Sequence, residues 1–453
     1  MVNIAFYLSN KNIRDVDCSD VFNGNPGIGG SDYALLLLAC SLTQNHNDLN
    51  VLVYVDEKSS LPPVLKTRKV SDLIRQTKED NIHILTIILG SFDNHTLDSF
   101  HQNEHLKIVI WASNFFWRKD LSYYAKNKQI SKIVCVGFEQ LDLYRDLSVF
   151  KKMAAIYNGA GADCTRKQQD MIPFSGRPFH VTYIGNLVPQ KGVHILAKAW
   201  PQILKVYPDA VLNVIGSGKL YNRNARLGDY GIAGEEYEKT FMPYLVDSDG
   251  QILPSVKFLG ILGKEKSEIL QKTRVGVPNP SGRTETFGYT AIEMQACGTL
   301  VATVKCPAYL ETVCSSAGIL YDKQKSPDKK LAESVISLLS RDDNHHEEVM
   351  QFLETNFSID KVSGIWYRLF TDMMEGKENP VVPVKANNTY RLKHWKEANR
   401  KLKNFIPFGY KILPSLWYVD DFVWKMKGLF MRKHLIKYLY RRYILKKIIE
   451  QYL

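Results

Sequence analysis

What the chain lacks narrows it first. Its seven cysteines (Cys18, Cys40, Cys135, Cys164, Cys297, Cys306 and Cys314) form no Cys-x-x-Cys pair and show no zinc spacing. An odd, scattered set of this kind argues against a disulfide framework or a structural zinc and favours free thiols in a reducing compartment. Long apolar runs are missing too. Near the start the longest is Ala34–Cys40, far short of the roughly 20 residues that span a bilayer. Met1 leads straight into a strand-like run, Val2–Ser9, rather than into the charged start and apolar stretch of a secretion signal. With 45% hydrophobic and 23% charged residues, a disordered chain is excluded as well. A length of 453 residues leaves room for two or three domains with ample core.

Charge of one sign is absent from most of the chain. The formal net charge is +12, but Arg391–Leu453 alone holds 16 Lys+Arg against 4 Asp+Glu, and the preceding 390 residues carry 43 of each. A neutral body does not suit nucleic acid, and no RNA-binding motif accompanies the basic tail. The tail mixes its cations with 13 aromatic residues, Trp395, Trp417 and Trp424 among them. That mixture suits the headgroup region of an anionic membrane. Around residues 432–447 the cations spread over the whole helical circumference, so the segment is not a clean amphipathic helix. Helices packed on the body with solvated lysines are the competing reading.

What is present is a repeated alternation. The strand-like runs VNIAFYLS, LNVLVYVD, NIHILTIIL, LKIVIWAS and KIVCVGF are separated by longer helical or polar stretches. The pattern pauses near 168–179 and restarts with HVTYIGNL, AVLNVIGSG, SVKFLGIL, RVGVPNP, TLVATVK and AGILYD. Strands alternating with helices predict parallel sheets covered on both faces. The expected architecture is α/β: two doubly wound, Rossmann-like domains at 1–170 and 171–376, the second closed by a final helix over 357–376. A linker at 377–390 and the basic tail at 391–453 follow. Ligands of open α/β sheets bind beyond the carboxyl ends of the strands, so a cleft between two such domains suits a small molecule.

The stretch Arg283–Gly298, RTETFGYTAIEMQACG, places Glu285 and Glu293 with seven residues between them. The preceding RVGVPNP reads as a buried strand, which puts Glu285 in the loop at its end. GYTAIEMQACG has helical spacing, which puts Glu293 a turn or two into a helix. The N–H groups of Thr286, Phe287 and Gly288 would open that helix, where anions and hydroxyl oxygens are favoured. An ionised carboxylate only accepts hydrogen bonds, so it can grip a vicinal diol. Two carboxylates flanking free amides suit a polyhydroxylated, phosphate-bearing ligand. A loop glutamate and an unrelated salt-bridged helix glutamate are the bland alternative.

The block PSGRTETFGYTAIEMQACGTLVA (280–302) resembles the Glu-x7-Glu signature of retaining glycosyltransferases of the GT-B fold, in the broad family 4. The resemblance implies that Glu285 contacts the donor sugar, Glu293 the ribose diol, and the amides of Thr286–Gly288 the sugar. Tyr183–Trp200 resembles the segment carrying that family's diphosphate-binding basic pair. Lys191 matches its lysine, while Asn186 stands where arginine is usual and brings a hydrogen bond without charge; Arg283 is the candidate to compensate. Gly29 and Gly30, in the glycine loop NPGIGGSDY, are expected to face the donor phosphates and the acceptor. Gly216, in VIGSGKL, borders the nucleotide side, and Val256–Leu270 lines the base pocket. Ser113 takes the position of a sugar-facing histidine, with Trp111 and Asn114 beside it. VCVGFEQLDLYRD and IYNGAGAD (156–163) resemble the family's run leading into an Asn-Gly turn.

By this resemblance, Glu285, Lys191 and Ser113 are the candidate catalytic residues, and no cofactor or metal is expected. The donor would be a UDP- or GDP-linked sugar and the acceptor a glycan or lipid-linked glycan. The setting would be cytoplasmic, at the inner face of a membrane contacted through 391–453. A catalytically silent scaffold with the same fold, or a sugar-nucleotide epimerase, are the rival readings.

Overall fold

The computed structural model describes residues 1–161, 164, 172–323, 325–378, 380–384 and 392–417. The expectations for Trp424 and for 432–447, and for part of the linker, lie outside those residues.

The first sheet contains seven strands, β1 (Val2–Leu8), β2 (Leu49–Val55), β3 (Lys66–Lys69), β4 (Ile84–Ile88), β5 (Lys107–Ala112), β6 (Ile130–Cys135) and β7 (Met153–Ala155), in the order β3-β2-β1-β4-β5-β6-β7. The second contains β8 (His180–Ile184), β9 (Val211–Ile215), β10 (Val256–Gly260), β11 (Val275–Pro278), β12 (Leu300–Val304) and β13 (Gly318–Tyr321), in the order β10-β9-β8-β11-β12-β13. Every strand pair is parallel. The strands read as unbroken apolar runs because helices cover both faces. Ile4–Leu8 of β1 and all of β12 are buried. The chain order reverses between β1 and β4 in the first sheet and between β8 and β11 in the second. Those switch points, where neighbouring connections diverge to opposite faces, open crevices for a ligand.

Helix α1 (Gly30–Asn45) follows β1 and buries every residue from Tyr33 to Leu42. Being apolar all round, it needs cover on its outer side as well. That cover is the final helix of the body, Ile359–Met374. Its buried face, Val362, Trp366, Leu369, Phe370 and Met373, faces the first sheet, with Trp366 against Trp111 (ring centroids 4.8 Å apart) and Phe370 against Phe6 (6.4 Å). Ser363 accepts a buried hydrogen bond from Ser41 at 2.9 Å. Each such apolar side chain contributes about 1.5–3 kcal/mol on burial. The helix expected to close the second domain thus completes the first domain's core. Adjacency in sequence gave no hint of this, because the apolar stripe of a helix does not name its partner.

The chain divides into two compact units, one of 1–141 with 152–389, the other of 142–151 with 390–453. The short segment 142–151, placed by sequence within the first domain, therefore belongs with the tail. In that second unit, helix Lys393–Phe405 turns Lys393, Lys396 and Lys403 inward, all at most 3% exposed. Lys393 pairs with Asp142 at 2.9 Å, Lys396 donates to the Leu143 carbonyl at 3.1 Å, and Lys403 donates to the Asp146 carbonyl at 2.8 Å. Asp146, fully buried, also accepts from Asn399, Ser415 and the Leu416 N–H. Burial lowers the Lys403 pKa, partly offset by Asp146. Three tail cations are therefore neither solvated nor turned outward: the carboxylates and chain carbonyls of 142–146 hold them.

Candidate functional site

A cavity of about 440 Å³ lies in the first unit where the loops after β1, β8 and β11 converge. Its walls include Gly29, Gly30, Ser113, Asn186, Lys191, Gly216, Glu285, Thr286, Phe287, Gly288 and Glu293. Residues from 29 to 293 are brought together because both switch points open onto the same space. Arg283 is not among them. Its side chain is exposed, and its backbone takes part instead, the carbonyl accepting from Asn279 Nδ2 and the N–H donating to Ser281 Oγ, both at 3.0 Å.

The loop after β11 is bent by left-handed residues. Asn279 (φ 25°), Gly282 (61°), Thr284 (55°) and Gly288 (85°) all have positive φ, a conformation that costs energy at a non-glycine residue and persists where the surroundings enforce it. The bend lifts Glu285 into the cavity. Its Oε2 accepts from Lys191 Nζ at 2.7 Å and from Asn279 Nδ2 at 2.8 Å, leaving Oε1 with no partner among the described residues. Lys191 is presented by the turn after β8, fixed where the Tyr183 hydroxyl donates to the Lys191 carbonyl at 3.1 Å. Burial alone would lower the pKa of this ammonium, but the adjacent Glu285 charge and hydrogen bond raise it above the ordinary lysine value.

Glu293 lies in the helix that follows, Tyr289–Ala296, and is 6% exposed. Its Oε1 pairs with Lys266 Nζ at 2.7 Å, again leaving the second oxygen without a described partner. Both carboxylates therefore present the same arrangement, with one oxygen committed to a lysine and one available. Between them, the N–H groups of Thr286, Phe287 and Gly288 have no described protein acceptor, as expected at a helix start. Gly216 (φ 139°) closes the floor, where a Cβ would fall 1.9 Å from the Gly185 carbonyl oxygen, so only glycine fits.

The first domain contributes the glycine loop, Ser113 and Asn158. Asn25 Oδ1 accepts from the Gly27 and Ile28 N–H groups, both at 2.9 Å, and shapes the glycine loop. Ser113 meets the opposite domain through its carbonyl, which accepts from Thr286 Oγ1 at 2.6 Å. Trp111 faces away into the core. Ser113 Oγ, Asn158 Oδ1 and Asn186 Oδ1 are buried at the cavity without a hydrogen-bond partner among the described residues. A buried polar atom without a partner costs about 1–3 kcal/mol, so three of them around one cavity mark where ligand or water oxygens and hydroxyls fit.

Sequence reasoning passed over Lys266, Asn279, Asn158 and Asn25. Lys266 stood with Lys257 and Lys264 in 256–270, the segment expected to line the base pocket. Only the packing of its short helix singles it out. Asn25 was legible as a residue able to bond the backbone two and three positions on.

Two parallel, doubly wound sheets with their switch-point loops around one cavity define the GT-B class of glycosyltransferase fold. Within it, residues 178–341 match the family described as Glycosyl transferases group 1, so the resemblance carried by the two-glutamate block holds. Among curated relatives, the chain is 30% identical over 165 residues to a GDP-mannose-dependent monoacylated alpha-(1-6)-phosphatidylinositol monomannoside mannosyltransferase of Corynebacterium glutamicum, covering 34% of this chain and 36% of that one. It is 25% identical over 142 residues to a phosphatidyl-myo-inositol mannosyltransferase of Propionibacterium freudenreichii, covering 31% and 29%. The match therefore spans about a third of these relatives' length. Solved structures agree in fold. Sucrose-phosphate synthase of Thermosynechococcus elongatus superposes with a TM-score of 0.63 at 15% identity, covering 83% of this chain and all of that one. Anabaena HepE in complex with UDP and glucose gives 0.58 at 15% identity, covering 82% and 100%.

Proposed function

We propose that the protein transfers a hexosyl group from a nucleoside-diphosphate sugar to a hydroxyl of a growing, lipid-linked surface glycan, with retention at the anomeric carbon. The observation that carries this reading is the paired arrangement of Glu285 and Glu293, each bound to a lysine by one oxygen and holding the other in reserve across a row of free amides. Glu293 takes the ribose diol, Glu285 and the Thr286–Gly288 amides the transferred sugar, and Lys191 the diphosphate.

In the transfer step the bond between the anomeric carbon and the diphosphate oxygen breaks, and the acceptor oxygen bonds to that carbon on the same face. The acceptor's proton passes to the departing diphosphate. The protein's part is to position the reactants and stabilise charge on the leaving group. Lys191 suits that task because it remains an ammonium throughout the neutral range. The relatives' names motivate GDP-mannose as the first donor to try, and the UDP complex of HepE motivates UDP-glucose as the second. A lipid-linked acceptor places the enzyme at the inner face of a membrane.

The test is turnover of GDP-mannose and UDP-glucose on a lipid-linked acceptor, with the product's anomeric configuration read by NMR. Retained configuration, and activity preserved in excess chelator, are the expected results. Inversion would overturn the mechanism, complete loss in chelator its metal independence, and nucleotide binding without any sugar release the enzyme reading itself.

A further inference from the structure

The second unit contains a helix whose amphipathicity runs opposite to the globular norm. Along Lys393–Phe405, the basic residues at 393, 396, 400 and 403 follow one helical stripe, with the three lysines buried and Arg400 partly buried. Arg400 is held by Glu397, which also binds Arg145 at 3.2 Å. The apolar stripe, Trp395, Ala398, Leu402 and Phe405, faces outward, and Phe408 and Ile412 in the turn that follows are exposed too. Trp395 is 68% exposed, Leu402 47%, Phe405 87%, Phe408 74% and Ile412 65%. Globular proteins scatter such residues singly; an exposed apolar stripe along one helix marks an interaction surface.

We infer that this face is a membrane-insertion surface, with the two aromatic rings of Phe405 and Phe408 and the indole of Trp395 seated at the headgroup boundary of an anionic bilayer. Charge selects this occupant. The exposed ionisable groups beside the apolar stripe are Lys401, Lys411 and His394, while Glu397, the one acid between 392 and 417, is turned toward Arg145 and Arg400. A cationic rim around aromatics complements anionic headgroups. A second copy of the chain would bring like charges together. The chain's own 418–453 segment, with 9 Lys+Arg against 3 Asp+Glu, would do the same. The buried lysines act as a scaffold here, because their bonds to the 142–146 segment fix which stripe points out. The inference sharpens the proposed membrane setting by naming the surface, and its test requires no turnover.

The experiment uses the full chain and vesicles of phosphatidylglycerol in phosphatidylcholine, with pure phosphatidylcholine as the neutral control. The variant is Trp395→Asp with Phe405→Asp and Phe408→Asp, all exposed positions, checked by circular dichroism and melting temperature. Cosedimentation of wild type with the anionic vesicles, weakened at least tenfold in the triple variant, is expected. Quenching of tryptophan emission by brominated lipid should fall in Trp395→Phe. Equal sedimentation of variant and wild type would overturn the inference, as would no binding by wild type. So would a wild-type dimer that the triple variant dissolves, because the face would then be covered by a second copy. Donor hydrolysis in solution should be the same in both proteins, so a failed glycosyltransferase reading and a failed membrane surface give different results.

Discussion

Replacing Glu293 by glutamine tests the site most directly. The side chain keeps its shape and loses its charge, and Lys266 loses its counter-ion. At 2.7 Å the gross attraction is about 6 kcal/mol for an effective dielectric of ~20, much of it offset by desolvation of both groups. What remains visible on breaking a buried pair is about 3–5 kcal/mol. The Asn25 carbonyl, 3.4 Å from Lys266 Nζ, compensates only weakly. Glu293→Gln should therefore lower the melting temperature measurably. Nucleotide binding should fall separately. A charged hydrogen bond is worth about 1.5–3 kcal/mol, so calorimetric titration with GDP or UDP should show affinity reduced by roughly one to two powers of ten. Adding Lys266→Met removes the orphaned cation and should restore stability while leaving the affinity low. Wild type should also bind the 2′-deoxy nucleotide more weakly than the ribonucleotide, and Glu293→Gln should not distinguish them. If Lys266→Met rescued affinity along with stability, Glu293 would act only as a counter-ion. The assignment of its free oxygen to a ribose would then be wrong.

Glu285→Gln should lower turnover by about 10²–10³, the usual effect of removing one group that stabilises developing charge, while nucleotide affinity changes little; an equal loss in both would place Glu285 on the nucleotide instead. Asp32, in the first turn of α1, has its pKa raised by burial to about 6. A raised carboxyl favours folding in its protonated form, so that stability is full below the ordinary aspartate value and is lost as pH rises through about 6. Asp32→Asn should therefore gain stability relative to wild type between pH 4 and pH 7.5 in paired melts. A difference independent of pH would refute the assignment.

The alternation of strands and helices, the two-domain plan and the two-glutamate block were readable because periodicity and turn chemistry are local properties. RVGVPNP had to be a buried strand, and a glutamate in the loop behind it had to lie at that strand's ligand-binding end. Lys191 was legible through its place in a known segment. Lys266 and Asn279 were not, because which of several lysines or asparagines meets a carboxylate depends on how a helix or loop is rotated in three dimensions. The tail shows the same division. Its charge and aromatic content were plain from composition, and composition alone pointed the cations outward. Asp142 and Asp146, some 250 residues earlier, reverse that orientation by supplying buried partners.

The sequence by itself determined the parallel two-sheet plan and the residues after β1, β8 and β11 that could meet a nucleotide sugar, since strand ends and helix starts carry their chemistry in adjacent residues. Tertiary structure alone decided that Ile359–Met374 returns to the first domain, that Lys266 and not a neighbouring lysine faces Glu293, and that the tail helix buries three of its lysines and exposes its aromatics. Each of those outcomes depends on partners distant in the chain, and a local pattern shows which face of an element needs a partner without showing where that partner lies.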